Sequence, residues 1–154
     1  MSTKIDELTK IIVSVSRKGF LRRSPLFKPH EKISVDDLDA LDRKIGTPIP
    51  NELRDWLFAV GYGDIDEEIS FREEWFAAIE SGQLKGGAIF AQDVLGNFYA
   101  FDSLGKIYYF PRSQSVFAIM SESFLKFIEE IIRRDYKLID WGDSLETQPY
   151  EWQE

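Results

Sequence analysis

The sequence predicts an α+β fold, in which an antiparallel β-meander of about four or more strands is packed by N-terminal helices and one long C-terminal helix. Two observations lead to this prediction. The segment Asp93–Tyr99 is echoed nine residues later by Asp102–Tyr108, and each copy contains an Asp and a Gly at turn positions. Turns this short join antiparallel neighbours. Apolar residues recur at helical spacing on both sides of this region.

The two echoed turns contain side chains suited to a tight reversal of the chain. The carboxylates of Asp93 and Asp102 can accept a hydrogen bond from the backbone two residues on. Gly96 and Gly105 can adopt positive φ at little steric cost. Pro111 should end the third strand, because proline cannot donate to the ladder. The expected strands are Ala88–Gln92, Asn97–Phe101, Lys106–Phe110 and Val116–Met120.

Three helical patterns open the chain. The first covers residues 3–16, and the second begins after Ser34, which is a suitable N-cap. The third begins at Pro50, because a helix does not need the missing N–H at its start, and it ends at Gly61. Between the first two, residues 17–32 are basic and contain several helix breakers. We interpret them as an irregular solvated connector, with a nucleic-acid patch as the alternative.

A fourth helical pattern lies directly before the meander. Ser70 with Glu73 forms a capping-box pattern, and Phe71, Trp75 and Ile79 follow at helical spacing. These residues therefore predict a short helix that ends near Gly82.

The C-terminal part is predicted to contain one long helix and a folded tail. Ser121 should cap the helix, whose apolar stripe is Phe124, Leu125, Ile128, Ile131 and Ile132. The tail from Asp140 to Glu154 contains five acids and no Lys or Arg, but it also carries Trp141, Tyr150 and Trp152. Because disordered tails are poor in large aromatics, we expect this segment to fold back onto the body.

Charge is distributed unevenly along the chain. Of the net charge of −8, residues 1–32 contribute +5 and residues 33–154 contribute −13. An acidic body should repel nucleic acid and attract basic partners. The chain has no cysteine, no apolar run of membrane-spanning length and no secretory signal pattern, so we expect a cytoplasmic protein without membrane contact. We expect one domain, comprising the helix and connector to residue 32, a core over 33–138 and a tail over 139–154.

No catalytic or metal-binding motif is visible in the sequence. His30 is the one histidine, and without cysteine a metal site at this residue would need several converging carboxylates. We therefore expect no metal, no cofactor and no enzymatic activity. Asp93 and Asp102 could form a carboxylate pair for glycoside hydrolysis. Turn capping accounts for both residues and is the simpler interpretation.

Two surfaces could bind a partner. The meander aromatics cover both faces of the sheet, so one face must be covered by the tail or left exposed. The acidic run 64–68 follows a helix end, where the helix dipole does not favour carboxylates. A solvated loop is the alternative interpretation. The candidate partner-binding residues are Asp64, Asp66, Glu67, Glu68, Glu73 and Glu74.

Several segments resemble the SUKH superfamily. Thr47–Leu57, with Gly61-Tyr62-Gly63 after it, resembles the opening motif of that family. The stretch Ile89–Asp102 resembles its meander, with an Asp-x-x-Gly-Asn turn. Two further segments continue the likeness in the same order: Gly105–Tyr108 and Ser123–Ile128. The resemblance covers about residues 36–138.

This resemblance implies an α+β fold with an antiparallel sheet packed by helices. Many bacterial members of the superfamily are immunity proteins that neutralise a partner toxin, often a nuclease, while others are eukaryotic regulators of cell-wall assembly and some are viral. The resemblance therefore implies stoichiometric binding of a cognate toxin, with a basic nuclease domain as the expected partner. A regulatory protein-interaction module is the alternative. Pro50, Gly61, Gly96 and Asn97 match the family motifs and are expected to be structural.

Overall fold

The computed structural model describes residues 3–18 and 23–152, with side chains described for residues 4–15 and 25–152. Five helices lie in this part of the chain: α1 Thr3–Ser14, α2 Val35–Ile45, α3 Asn51–Val60, α4 Phe124–Arg133 and α5 Leu138–Asp143. The first six strands are β1 Ser16–Lys18, β2 Arg23–Pro25, β3 Phe27–Glu31, β4 Tyr62–Ile65, β5 Ile69–Phe71 and β6 Ala77–Ala78. The other five are β7 Ala88–Asp93, β8 Phe98–Phe101, β9 Ile107–Phe110, β10 Val116–Ser121 and β11 Gln148–Pro149.

Nine of the eleven strands in the described residues form one antiparallel sheet. Its order is β11-β10-β9-β8-β7-β5-β4-β3, and the short β6 also pairs with β7. Strands β1 and β2 form a separate hairpin. The predicted α+β class with an antiparallel sheet is therefore confirmed, and β7 to β10 are the four strands expected for the meander.

The two echoed turns use the same set of hydrogen bonds. In each turn one carboxylate oxygen accepts from two backbone N–H groups. For Asp93 these belong to Leu95 and Asn97, at 3.0 Å each. For Asp102 they belong to Leu104 and Lys106, at 2.9 and 3.0 Å. The other carboxylate oxygen accepts from a tyrosine hydroxyl at 2.8 Å, Tyr99 in the first turn and Tyr108 in the second. Local turn chemistry is thus joined to the side chains of the next strand.

Helices cover one face of the sheet and enclose the larger core. Trp56 of α3 lies at its centre, with ring centroids 6.2 Å from Phe71 and 5.9 Å from Phe124. Phe90 of β7 also packs against Phe124, at 6.0 Å. The indole N–H of Trp56 is buried and has no hydrogen-bond partner in the described residues. Aromatic packing, rather than polar contacts, therefore holds the helices to the sheet.

The acidic tail covers part of the opposite face, as the sequence predicts. Tyr150 packs between Phe110 and Phe117, with ring centroids 5.0 and 5.2 Å away. Its hydroxyl donates to Ser81 O (2.7 Å) and accepts from Leu84 N–H (3.1 Å). Strand β11 also extends the sheet by pairing with β10. Tyr150 of the tail therefore belongs to a second, smaller hydrophobic core on this face of the sheet, together with Phe110 and Phe117.

The predicted irregular connector is wrong in part, because residues 17–32 contain three strands. Leu26 and Phe27 are buried and belong to the core. Pro29 lies in β3, at the edge of the sheet, where its missing N–H removes no ladder bond on the outer side. Residues 19–22 lie outside the described residues, and so do the side chains of Arg17, Lys18 and Arg23.

The predicted helix after Ser70 is also wrong. Residues 69–71 form β5, and only Glu73–Trp75 make a short 3₁₀ turn. Ile69 and Phe71 are buried on either side of the half-buried Ser70, which is the alternation of a strand. Strand β5 fills the position between β4 and β7. Sheet pairing at this position outweighs the helical spacing of the aromatic residues.

The C-terminal helix differs in its start and its length from the prediction. Ser123, not Ser121, is the N-cap, and its hydroxyl accepts from Lys126 N–H at 3.2 Å. Helix α4 is ten residues long, and the six-residue α5 follows it. Trp141 of α5 packs on Phe127, with 5.7 Å between ring centroids. The predicted single long helix is therefore replaced by two shorter ones that both contact the core.

Alanine substitution should distinguish the two echoed turns. Asp93 is 6% exposed and accepts four hydrogen bonds, whereas Asp102 is half-buried and accepts three. Asp93→Ala leaves the buried Tyr99 hydroxyl without a partner and should cost about 3 kcal/mol, against about 1 kcal/mol for Asp102→Ala. Urea denaturation followed by tryptophan fluorescence measures both. Equal losses of unfolding free energy in the two variants would show that the deeper burial of Asp93 does not make its turn more important for stability.

Candidate protein-binding surface

The acidic run forms a β-hairpin rather than a loop after a helix. Asp64 lies within β4, and the turn Ile65–Glu68 is closed by Glu68 N–H donating to Ile65 O at 2.9 Å. Asp66 and Glu67 occupy the centre of the turn with φ of 51° and 59°. Residues other than glycine rarely adopt this left-handed backbone conformation, and their backbone is strained in it. The hairpin therefore holds two acids at its tip in a conformation that glycine or asparagine would favour.

The first meander turn lies against this hairpin. Val94 N–H donates to Glu68 O at 2.9 Å, so the backbones of the two tips are joined. The side chains of Val94 and Leu95 are 66% and 57% exposed. A cleft of about 400 Å³ runs between the tips, and its lining includes Glu67, Glu68, Val94 and Leu95. Two exposed apolar side chains thus lie next to a row of carboxylates.

Carboxylates crowd around Glu68. Partial burial raises its pKa, and the charges of Asp66, Asp93 and Asp140 raise it further. These three acids come from the hairpin, the meander turn and α5, so distant parts of the chain supply them. Ionised Glu68 is less stable here than in the unfolded chain. The cluster is therefore maintained against a cost in folding free energy.

Several of the predicted contact residues already have partners within the chain. Asp64 accepts from the Ser70 hydroxyl and lies 2.9 Å from His30 Nε2. Glu67 is bonded to the ammonium group of Lys28. A cationic partner would therefore have to share or displace these contacts.

The other two predicted contact residues belong to a different neighbourhood. Glu73 accepts from Lys44 Nζ through its backbone oxygen (2.7 Å), and its carboxylate lies 3.4 Å from the same group. Glu73 and Glu74 both act electrostatically on the phenol of Tyr62. The structure thus divides the six predicted residues into a hairpin group and a pair near α2.

Cationic and aromatic groups border the hairpin cleft. Arg72 lies over the ring of Trp75 at 5.3 Å and donates from Nε to the Ser70 hydroxyl at 3.2 Å. Arg112 also lines the cleft. We name the surface formed by residues 64–68, Val94 and Leu95 the hairpin surface. It combines apolar and acidic groups, and Arg72 and Trp75 border it.

The remaining motif residues shape turns and helix ends. Pro50 precedes α3 as its N-cap residue, and Gly61 follows the helix with φ of 76°. A side chain on Gly61 would collide with Glu31 O, so only glycine fits this position. Gly96 and Gly105 both have φ of 86°. These residues set the backbone course and do not form a surface.

Asn97 links the first meander turn to the loop after β9. Its amide donates from Nδ2 to Asp93 Oδ2 at 3.0 Å, and its Oδ1 accepts from Arg112 N–H at 2.9 Å. Arg112 is therefore anchored at one side of the hairpin cleft through its backbone.

The suggested pairing of Asp93 with Asp102 is ruled out by their positions. They lie at opposite ends of β8, whose four residues span about 13 Å. Paired glycosidase carboxylates are separated by about 5–9.5 Å. Within the described residues, no three His, Asp or Glu side chains form a group that could hold a metal ion. His30 contacts Asp64 and Arg72 Nη2 only as part of the hairpin network.

Comparisons with protein-family models, curated proteins and solved structures found no match to this chain. None of the helices described is long and apolar enough to cross a membrane.

Sequence reasoning missed Val94 and Leu95. The signal was present, because two adjacent apolar residues occupy the tip of a turn, where polar residues are usual. The echoed turn carries Leu104 at the equivalent position, and that side chain is 81% exposed. An exposed apolar residue at both tips points to surface contact rather than core packing.

Replacing Glu68 with Gln should stabilise the folded protein at neutral pH. The raised pKa means that ionised Glu68 opposes folding above its folded-state pKa, and this penalty disappears below the unfolded-state pKa. The urea midpoint of Glu68→Gln should therefore exceed that of the parent at pH 7, and the two should converge as the pH falls through the carboxyl range. Glu129→Gln on α4 is the control, since Glu129 does not act on Glu68. A lower midpoint for Glu68→Gln at pH 7 would contradict this account.

Proposed function

We propose that this chain is a non-enzymatic immunity protein of the SUKH type, which binds a cognate basic toxin domain stoichiometrically and blocks its activity. The observation that carries the proposal is the hairpin surface, where Val94 and Leu95 are exposed beside a carboxylate whose charge opposes folding. Groups retained at a cost in stability are commonly retained for function. A basic partner would relieve the repulsion around Glu68.

The composition of the hairpin surface suits protein recognition. Apolar side chains that become fully covered supply most of the binding energy in an interface, and a charged rim sets partner choice and association rate. Val94 and Leu95 can fill a pocket on the partner, with the carboxylates of residues 64–68 around them. A nuclease domain that binds nucleic-acid phosphates is basic by necessity and would be attracted to such a rim.

The arrangement of the motif segments supports the SUKH-type assignment. The opening motif covers the residues before α3 and most of that helix, the Asp-x-x-Gly-Asn turn joins β7 to β8, and the last segment forms the N-cap and first half of α4. The meander turn and the last segment thus lie on a β-hairpin and on a helix, as an antiparallel sheet packed by helices requires.

A regulatory interaction module is the second candidate function. Leu104 lies at the opposite end of the meander from the hairpin surface and borders a cleft of about 450 Å³ beside Thr47–Asn51. Two separate apolar contact points would suit a scaffold that binds two proteins at once. An immunity protein needs only one of them.

Co-purification from the native host distinguishes the two candidates. The tagged chain is the bait, bound proteins are eluted with a salt gradient, and mass spectrometry identifies them. A single basic toxin domain with one-to-one stoichiometry, encoded by a gene adjacent to that of the bait, supports immunity. Several host regulatory proteins, or a partner that stays active when bound, would overturn it in favour of the scaffold.

Charge reversal at the tip of the hairpin should slow association with the partner. The double variant Asp66→Lys with Glu67→Lys should lower the association rate about tenfold at low salt, because steering depends on the local charge. Surface plasmon resonance at two ionic strengths measures this. The matched control is Glu7→Lys with Glu129→Lys, which changes the net charge equally at two exposed helical acids. Equal slowing by both variants would show that only net charge matters.

Truncating the Leu95 side chain should weaken the complex through faster dissociation. Leu95→Ala should raise the dissociation constant about tenfold or more if the side chain fills a partner pocket. Leu104→Ala is the matched control, because it changes an exposed leucine at the equivalent position of the other turn. Both variants should keep the parent urea midpoint, since neither side chain is buried. An effect from Leu104→Ala alone would move the interface to the opposite end of the meander.

A further inference from the structure

A second acidic cavity lies away from the hairpin surface, beside α2. Its volume is about 280 Å³, and Glu31, Asp37, Ala40, Leu41, Tyr62 and Glu73 line it. The two apolar residues come from α2, while the acids come from the end of β3, the first turn of α2 and the 3₁₀ turn. The cavity is thus walled by four elements, whose lining residues lie between Glu31 and Glu73. We name it the tyrosine pocket.

The hydroxyl of Tyr62 is the unusual group in this pocket. Its residue is only 6% exposed, and its ring packs edge-on against Phe76 with 6.4 Å between centroids. Within the described residues the hydroxyl makes no hydrogen bond, and its oxygen is not one of the fully buried polar atoms without a partner, so it is open to the cavity. Burial raises the phenol pKa, and the charges of Glu73, Asp37, Glu31 and Glu74 raise it further. A neutral hydroxyl that is open to the cavity therefore lies within the electrostatic reach of four carboxylates.

The carboxylates of the pocket are held apart. Asp37 accepts from Ser34 N–H at 2.9 Å in the capping box of α2, and this bond lowers its pKa. Lys44 donates to the backbone oxygen of Glu73 at 2.7 Å and lies 3.4 Å from its carboxylate, so a bound guanidinium would share that carboxylate with Lys44. Glu31 lies opposite Tyr62 in the pairing of β3 with β4. Each acid is thus positioned by a different contact, and the set does not collapse around a single point.

The spacing of these acids favours an extended cation over a metal ion. They do not meet the criterion for a metal-binding group within the described residues. A guanidinium group carries five N–H donors in a rigid plane and can reach separated carboxylates and a hydroxyl oxygen at once. Its methylene stem can lie along Ala40 and Leu41. The cavity is slightly below the usual size of small-molecule sites, about 300–1,000 Å³, so a single side chain suits it.

We infer that the tyrosine pocket binds a guanidinium group, supplied by an arginine side chain of a protein partner. Glu31 and Glu73 would accept its N–H donors, and the Tyr62 hydroxyl oxygen would accept another. A free amino acid is a poorer source, because its own carboxylate would meet the acids that line the pocket. This inference rests on the proposed function only for the identity of the partner, since the pocket can be tested without it.

The test is an NMR titration of the full chain with N-acetyl-arginine amide at low salt. N-acetyl-citrulline amide is the neutral isostere, and N-acetyl-lysine amide carries a compact cation. Saturable amide shifts are expected at Glu31, Asp37, Ala40, Tyr62 and Glu73, with citrulline silent and lysine several-fold weaker. Free arginine is the second arm. Weaker binding than the blocked probe supports a protein source, and tighter binding would overturn that source in favour of a small metabolite.

Three variants complete the test. Glu31→Gln should weaken binding of the blocked arginine about tenfold, and Tyr62→Phe about fivefold, because each removes one hydrogen-bond acceptor. Asp36→Asn is the matched control on the first turn of α2, since Asp36 does not line the pocket, and it should bind normally. Tyr62→Phe should fold with an unchanged urea midpoint, because the lost hydroxyl has no hydrogen-bond partner within the part of the chain that the structure describes.

Other outcomes would overturn the inference. Shifts spread over all acidic surfaces, equal binding of lysine and arginine, or equal loss in Asp36→Asn would each reduce the pocket to a general acidic patch. Failure of the arginine probe together with successful capture of a basic toxin would remove the pocket and keep the proposed function. Arginine binding without any toxin partner would keep the pocket and remove the proposed function.

Discussion

The buried carboxylate of Asp93 is the interaction on which much of the sheet depends. It accepts two backbone N–H groups of its own turn, the amide of Asn97 and the hydroxyl of Tyr99. Tyr99 is fully buried and packs on Phe127 of α4, with 5.9 Å between centroids. A single side chain therefore fixes the turn, the register of β7 with β8 and the position of a helix. Charge-assisted hydrogen bonds of this kind offset the cost of burying the carboxylate.

The same charge connects the interior to the surface. Asp93 is one of the acids that raise the pKa of Glu68, and Glu68 accepts a backbone hydrogen bond from Val94. The core therefore requires a negative charge at this end of the sheet, and the acidic hairpin adds further charges beside it. Repulsion within the hairpin surface is a direct consequence of how the turn is built.

The sequence predicts well where local chemistry decides the structure. Asp93, Asp102 and their glycines predict both turns, and the aromatic tail is correctly expected to fold back. It predicts poorly where distant pairing decides, as at Ser70, whose capping pattern is outweighed by the place that β5 takes between two strands. Only the acidic part of the candidate surface is predicted from the sequence. The acids of residues 64–68 stand out by charge, but their junction with Val94 depends on a contact between two hairpins that no local pattern contains.

Both edges of the sheet carry protection against unwanted pairing. Strand β3 closes one edge with Pro29 and a register shift, and the two-residue β11 closes the other over part of β10. Exposed strand edges promote assembly into aggregates, and proline, bulges and very short edge strands oppose it. The tail therefore also guards the sheet during synthesis. Until residues 148–150 are synthesised and pair, β10 presents an open edge next to an uncovered aromatic face, so this short segment determines when the sheet is protected against aggregation at high concentration.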